Sequence, residues 1–442
     1  MTLASPWGPV SWTAWEATAA TPDAGNVTAV IERLGDAELR RIQDNGDAAI
    51  AMLPRRQRLT LSRRLRNTSV RSAGAVLLVP RWPGSEHALA IGPTLADGVE
   101  RHLEKSRAAA IVAAAARNTW GRWLVTMMAP GVGVVLTPTG KDERDGDWPG
   151  CRPAAGHVSL GSRSDAPTLR VLLYEANERR PCAVAKLAFS PAAVPRIAAE
   201  IRALVFVAPS AARAGLRVPR LLGHKPGKLT MTAVSGHGAA GLLWRRPRRL
   251  GALVADVLDS LATWRALRSP ALLDEETYVR CFRAPASSLA SAHPELAEYC
   301  AALMRDAERL VGVAPIVGPQ HGDLTTRNVV IEPGAAVGIT DFEAGTTGGV
   351  LLTDDWYLAA DALGAALGTT HADAVVQLRD AAGSAAAIAD QLDRAGRAVG
   401  WSPEIRELVF RQCWVAHAHD EVARPGAPQR FVEAVRRLAR SG

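Results

Sequence analysis

Ten consecutive residues, His321-Gly322-Asp323-Leu324-Thr325-Thr326-Arg327-Asn328-Val329-Val330, place a carboxylate and an amide five positions apart (328 − 323). A second carboxylate, Asp341, follows Asn328 by 13 positions (341 − 328) within Ile339-Thr340-Asp341-Phe342-Glu343. Between them, Val329-Val330-Ile331 and Val337-Gly338-Ile339-Thr340 read as the arms of a tight hairpin whose turn runs from Glu332 to Ala336. A carboxylate can orient a hydroxyl and take its proton. A carboxylate paired with an amide oxygen suits a hard cation such as magnesium. The hairpin would carry Asn328 and Asp341 to one end of their domain. His-Gly-Asp alone is a weak signal; the ordered set joined by strand, turn and strand is a specific one.

The pattern H-x-D-x-x-x-x-N followed by D-F-E resembles the catalytic and metal loops of the aminoglycoside phosphotransferase and choline kinase families, relatives of the protein kinases. The resemblance covers roughly residues 155 to 440. It implies an α+β, protein-kinase-like two-lobed fold, with a small antiparallel sheet and one helix followed by a larger helical lobe. It also implies transfer of the γ-phosphate of ATP to an alcohol with Mg²⁺, chemistry that rests on positioning and charge neutralisation. In that reading Asp323 is the base, and Asn328 and Asp341 hold the metal. His321 braces the loop, and Glu343 and Asp355 support the reacting groups from behind. The sequence departs from the families' usual wording at Thr325-Thr326, where a His or Trp and then a Pro are frequent. That departure bears on substrate class.

The resemblance asks for a lysine on the third strand and an acid on the next helix. Lys186 lies in the apolar run Ala183 to Phe189. Glu200 flanks the inward stripe Ile197, Ile201, Leu204, within reach of Lys186, which it would orient onto the α- and β-phosphates. The turn Gly161-Ser162-Arg163-Ser164-Asp165 stands where the families place their nucleotide loop, so Gly161 and Ser162 would offer backbone N–H groups to phosphate. Met231 and Ala233 would face the adenine, by position alone. Asp354, in the first turn of a helix, is expected to serve the helix dipole. Trp244-Arg245-Arg246-Pro247-Arg248-Arg249 reads as a solvated basic edge, and Trp401, Trp414, His417 and His419 as packing or surface residues.

The elements that must position these groups fall into three stretches. Residues 1–138 read as an accessory α/β module, with strands at Ala75 to Val79, Ala88 to Gly92, Trp123 to Met128 and Val132 to Leu136 and a helix from Leu95 to Ala116. A Gly-, Pro- and Asp-rich linker leads to an N-lobe at 155–236, and residues 237–442 form a helical C-lobe. With 442 residues, 48% hydrophobic, the chain can bury several cores. Lys+Arg exceed Asp+Glu by 52 to 44, a mild basic balance that suits anionic ligands. Five scattered cysteines without a CxxC pair suggest neither a disulfide framework nor a zinc site. No secretory signal or membrane span is visible, so the cytoplasm is expected. No nucleic-acid-binding module is recognisable. The acceptor is expected to be a small hydroxylated molecule: a sugar, an amino alcohol, an aminoglycoside or another natural product. Acids and bases nearly balance from 345 onward, which disfavours a polycation. The alternative is a catalytically silent, pseudokinase-type module that recruits a protein partner through residues 1–138.

Overall fold

Apolar runs of three to nine residues build the sheets of the first half of the chain. The computed structural model describes residues 29–31, 49–54, 70–78, 88–91, 131–138, 153–160, 168–175, 180–188, 191–424 and 429–440. The described residues divide into two compact units, 1–198 with 221–233, and 199–220 with 234–442. The expected helix from Leu95 to Ala116, the strand at Trp123 to Met128 and the turn holding Gly161 and Ser162 lie outside the described residues.

The first unit holds two five-stranded sheets. One contains β1 (Ala29–Ile31), β2 (Ala49–Pro54), β3 (Val70–Leu78), β4 (Ala88–Ile91) and β5 (Gly131–Pro138), in the order β1-β2-β5-β3-β4. Only the β1–β2 pair in this sheet is parallel. The other contains β6 (Pro153–Leu160), β7 (Thr168–Glu175), β8 (Ala183–Ala188), β9 (Leu221–Lys225) and β10 (Lys228–Thr232), antiparallel throughout, in the order β6-β7-β8-β10-β9. The meander β6-β7-β8 starts the small antiparallel sheet expected between residues 155 and 236. Helix α1 (Val194–Phe206) follows it, and a β9–β10 hairpin turning on Pro226-Gly227 completes the sheet. Gly227 takes φ +70°, the left-handed value that the residue after proline adopts in a type II turn. Cys182, just before β8, is disulfide-bonded, whereas Cys281, Cys300 and Cys413 are free thiols.

The second unit is mainly helical. Its short strands are β11 (His237–Gly238), β12 (Ala271–Leu272), β13 (Pro315–Gln320), β14 (Val329–Ile331), β15 (Gly338–Ile339) and β16 (Thr346–Val350). They pair as β11-β14-β15 and β12-β13-β16. Its longer helices after α1 are α2 (Ala239–Arg245), α3 (Leu250–Arg265), α4 (Ala284–Ala292), α5 (Ala297–Glu308), α6 (Thr353–Leu367), α7 (His371–Arg379), α8 (Ala386–Ala398), α9 (Pro403–Val422) and α10 (Arg430–Arg440). The core lies among α3, α6 and α9, where Trp264, Leu261 and Trp414 are fully buried; each such leucine contributes about 1.5–3 kcal/mol. Trp264 keeps its polar atom satisfied by donating to Ser210 Oγ at 2.8 Å. Trp401 is likewise buried and donates to Pro315 O. His417 stacks on Tyr357 with ring centroids 3.8 Å apart. Burial, with Arg424 and His371 nearby, drives its imidazole down to about 3, so it packs as a neutral ring. Among the described residues no helix is long and apolar enough to cross a membrane.

Candidate active site

The residues singled out at 321–343 converge within the second unit. Strand β13 ends at Gln320, and the chain turns at once through His321 and Gly322. Gly322 has φ +80°, and a Cβ there would lie 2.4 Å from Ala344 O. Only glycine therefore lets the His-Gly-Asp turn rest against the Phe342–Ala344 turn that follows Asp341. His321 joins the same two segments through its ring. The Asp323 N–H donates to His321 Nδ1 at 3.3 Å, and His321 Nε2 lies 2.9 Å from Thr340 O. An accepting Nδ1 requires the proton on Nε2, so the ring is neutral and donates to Thr340 O. It is fully buried, packed 4.8 Å from the Phe342 ring.

The hairpin of β14 and β15 brings Asn328 and Asp341 to the same end. Val329 pairs with Ile339 and Val330 with Gly338, and the Thr340 N–H donates to Asn328 O at 2.9 Å. The turn between the arms is tied down by Arg217, which donates to Ala336 O and to Glu332 Oε2 at 2.6 and 3.0 Å. Asn328 is nine-tenths buried and its amide nitrogen donates to Asp323 O at 2.8 Å. That bond commits the nitrogen and turns the amide oxygen into the atom that can meet a cation. Asp341 adopts φ +68°, ψ +59° and caps the short helix Phe342–Ala344. A non-glycine residue held in the left-handed region is uncommon and concentrates at functional turns. Glu343 follows it, half-buried.

Helix α6 supplies the brace, through a residue the sequence reading gave a different task. Asp354 accepts the His321 N–H at 2.6 Å and the Gly322 N–H at 2.9 Å. Asp355, expected to support the loop, instead takes two bonds from Arg265 Nη1 at 2.8 and 2.6 Å. One residue along a helix is a rotation of about 100°, enough to aim adjacent carboxylates at different neighbours. Both aspartates are buried. Burial pushes the Asp354 carboxyl up to about 7, against the two N–H bonds and with help from Asp355. Burial raises Asp355 as well, with Arg265 opposing.

A second brace was missed from the sequence. Asp361 accepts both the N–H and the hydroxyl of Thr326 on Oδ2, and its Oδ1 lies 3.3 Å from His371 Nε2. Burial acts to raise this carboxyl, but the bonds from His371 and Thr326 prevail and hold it below the ordinary range. Its spacing from Asp354, one face of α6 shared by positions i and i+7, was the available signal.

The remaining expected residues lie on the first unit and on α1. Lys186 is 7% exposed in β8, opposite Arg170 of β7 and Leu229 of β10. Met231 is buried in β10, and the Ala233 N–H donates to Cys182 O. Glu200, on α1, is 1% exposed. A lysine and a glutamate this deeply buried are unusual among surface-built charges and mark functional or paired positions.

Residues 163–377 match the model of the phosphotransferase enzyme family. That stretch is similar to the phosphotransferases. The match spans both loops, β8, α1 and α6, so the resemblance read from H-x-D-x-x-x-x-N and D-F-E is borne out. The sheet-then-helices order gives the domain its kinase-like α+β fold class, and the enzyme class follows from the family. No curated protein matches the chain in sequence. Among solved structures, macrolide 2′-phosphotransferase MphH from Brachybacterium faecium is similar at 16% identity, over 64% of this chain and 88% of that one, with a TM-score of 0.36. A glucosamine kinase is similar at 13% identity, over 64% and 89%, with a TM-score of 0.41. Aminoglycoside phosphotransferase APH(3″)-Id from Streptomyces rimosus is similar at 16% identity, over 58% and 92%, with a TM-score of 0.37.

Proposed function

We propose that the phosphotransferase domain moves the γ-phosphate of ATP, with Mg²⁺, to a hydroxyl of a small molecule. The observation that carries this reading is the joint locking of the two motif loops by His321 and Gly322. It ties the segment that carries Asp323 and Asn328 to the segment that carries Asp341. Asp323 would orient the acceptor hydroxyl and take its proton as the oxygen attacks phosphorus. Asn328 and Asp341 would offer hard oxygen donors to magnesium, and the committed Asn328 nitrogen, which leaves the amide oxygen available, supports that reading. When bound, the ion would neutralise charge on the phosphates, and two protein ligands leave its other positions to phosphate oxygens and water. Lys186 would hold the α- and β-phosphates and Glu200 would orient it. Gly161 and Ser162 would cover the phosphates, and Met231 and Ala233 would face the base.

For the acceptor, sugars, amino alcohols and other natural-product hydroxyls fit better than a polycation. The near balance of acids and bases in the C-terminal helices offers no acidic wall. The three-part division at 1–138, 155–236 and 237–442 is proposed alongside, with the first part accessory. Thermal shift with ATP, with and without Mg²⁺, tests the nucleotide site. Metal-dependent stabilisation that disappears in Asp341→Ala is expected, followed by a screen of hydroxylated acceptors with Asp323→Asn as control. A wild-type protein that ATP and Mg²⁺ leave unstabilised would overturn the reading.

A further inference from the structure

Helix α6 carries Asp354 and Asp361 seven positions apart (361 − 354). Seven residues are close to two turns, so the two carboxylates share a face, roughly 10 Å apart along the axis. Asp354 grips the start of the catalytic loop and Asp361 grips its middle. Thr326 stands between Asp323 and Asn328, and it gives Asp361 Oδ2 both of its donors, the N–H at 2.8 Å and the hydroxyl at 2.5 Å. Thr326 is 1% exposed, so neither donor has water as a substitute partner. On its other side Asp361 meets His371, whose ring stands edge-on to Phe431 of α10 with centroids 5.3 Å apart. The carboxylate is thereby fixed from two directions.

We propose that Asp361 is a positioning residue for phosphate transfer, acting through Thr326 to fix the segment that joins the base to the metal-binding amide. The proposal rests on the function proposed above. The Asn328 side chain already bonds Asp323 O, so any rotation of the intervening peptide moves the base and the amide together. A displacement of about 1 Å in such a constellation can cost on the order of a hundredfold in rate. A proline at the Thr326 position, frequent in the resembling families, has neither donor. The need for Asp361 is therefore specific to a chain that carries Thr326.

The test compares wild type, Asp361→Asn, Thr326→Pro and the double variant. Release of phosphate from Mg-ATP to water gives kcat and KM, and amide exchange is followed over residues 321–328. Asp361→Asn is expected to lower kcat about tenfold to a hundredfold with KM for ATP within about twofold. Exchange should quicken at Thr326 while His321 and Gly322, held by Asp354, stay protected. In the Thr326→Pro background the same Asp361→Asn change should cost less than about threefold. Equal cost in both backgrounds would overturn the proposal, as would faster exchange with kcat unchanged. Should Thr326→Pro fail to fold, Thr326→Val removes the hydroxyl alone, and its loss should be less than additive with that of Asp361→Asn. A wild type that neither releases phosphate nor gains stability from Mg-ATP refutes the phosphotransfer reading itself. The exchange arm then still reports whether Asp361 holds the loop.

Discussion

The proposed catalytic loop and the proposed metal loop lie side by side, and their main fastenings differ. The first, 321–328, is held by side-chain carboxylates: Asp354 takes two of its N–H groups and Asp361 takes both donors of Thr326. The second, 341–345, is gripped in addition by shape. Asp341 sits in the left-handed region, Phe342 is fully buried, and Ala344 O closes on the bare Cα of Gly322. Fastening by carboxyl groups should respond to pH and to isosteric polar changes. Contacts of shape should respond to volume and ignore pH. The loop with the proposed base thus carries more of the first kind of fastening, and the loop with the proposed metal ligand more of the second.

The largest effect should come from the reacting group itself. Asp323→Asn keeps size and most hydrogen bonding yet cannot accept the acceptor's proton, so transfer should fall by about 10²–10⁴-fold. Nucleotide binding should change little. Steady-state turnover with a hydroxylated acceptor found by the screen, beside ATP titration, checks both halves; turnover kept within tenfold would remove Asp323 from the role of base.

Next comes the contact where the two fastenings meet. Gly322→Ala demands φ +80° of an L-residue and drives a methyl to 2.4 Å from Ala344 O. Strain and overpacking together should cost about 2–4 kcal/mol, and relief should push both loops apart. Denaturant unfolding measures the loss. A variant as stable as wild type would mean that the loops are not wedged together there.

Asp354→Asn probes the charged fastening. An amide can accept one of the two N–H bonds but faces the other with its own NH₂, a loss of about 1–3 kcal/mol. The pH dependence is the sharper readout. Because burial lifts this carboxyl from 3.8 to about 7, the folded state holds the proton more tightly than the unfolded chain. Its stabilising contribution is therefore greatest in acid and is lost as pH rises through about 7. Asparagine does not titrate, so the variant should trail wild type most at pH 5 and recover ground by pH 8. A gap that stays flat or widens with pH would show that Asp354 does not titrate in this window.

These contrasts also explain what the sequence could disclose. The hairpin between Asn328 and Asp341 was legible because the proposed chemistry asks for Asp323, Asn328 and Asp341 in a fixed order around a strand-turn-strand. The β6-β7-β8 meander and Lys186 were legible as apolar runs with one misplaced charge. The fastenings were not. Asp354 and Asp355 are adjacent acids in a first turn, and which of them faces the loop depends on helix phase, which composition does not reveal. Asp361 looked like one polar residue in an alanine-rich helix; its meaning needs Thr326, 35 positions away (361 − 326). The short strands β1 and β2 sit in a polar, mixed stretch that hides their period.

The smallest effect should be found on the shape-held side, and it makes the comparison exact in kind. Phe342 is fully buried beside the His321 ring and carries no charge. Phe342→Leu keeps it apolar and loses little volume, so about 1 kcal/mol should be lost. His321 donates to Thr340 O and accepts from Asp323 N–H without help from Phe342, so those bonds should persist. The deficit should therefore be the same at pH 5 and pH 8, in contrast to Asp354→Asn. Urea unfolding at the two pH values measures both variants in one experiment. A pH-dependent deficit for Phe342→Leu would mean that the ring shields the Asp354 carboxyl, and that the two loops share one fastening rather than two.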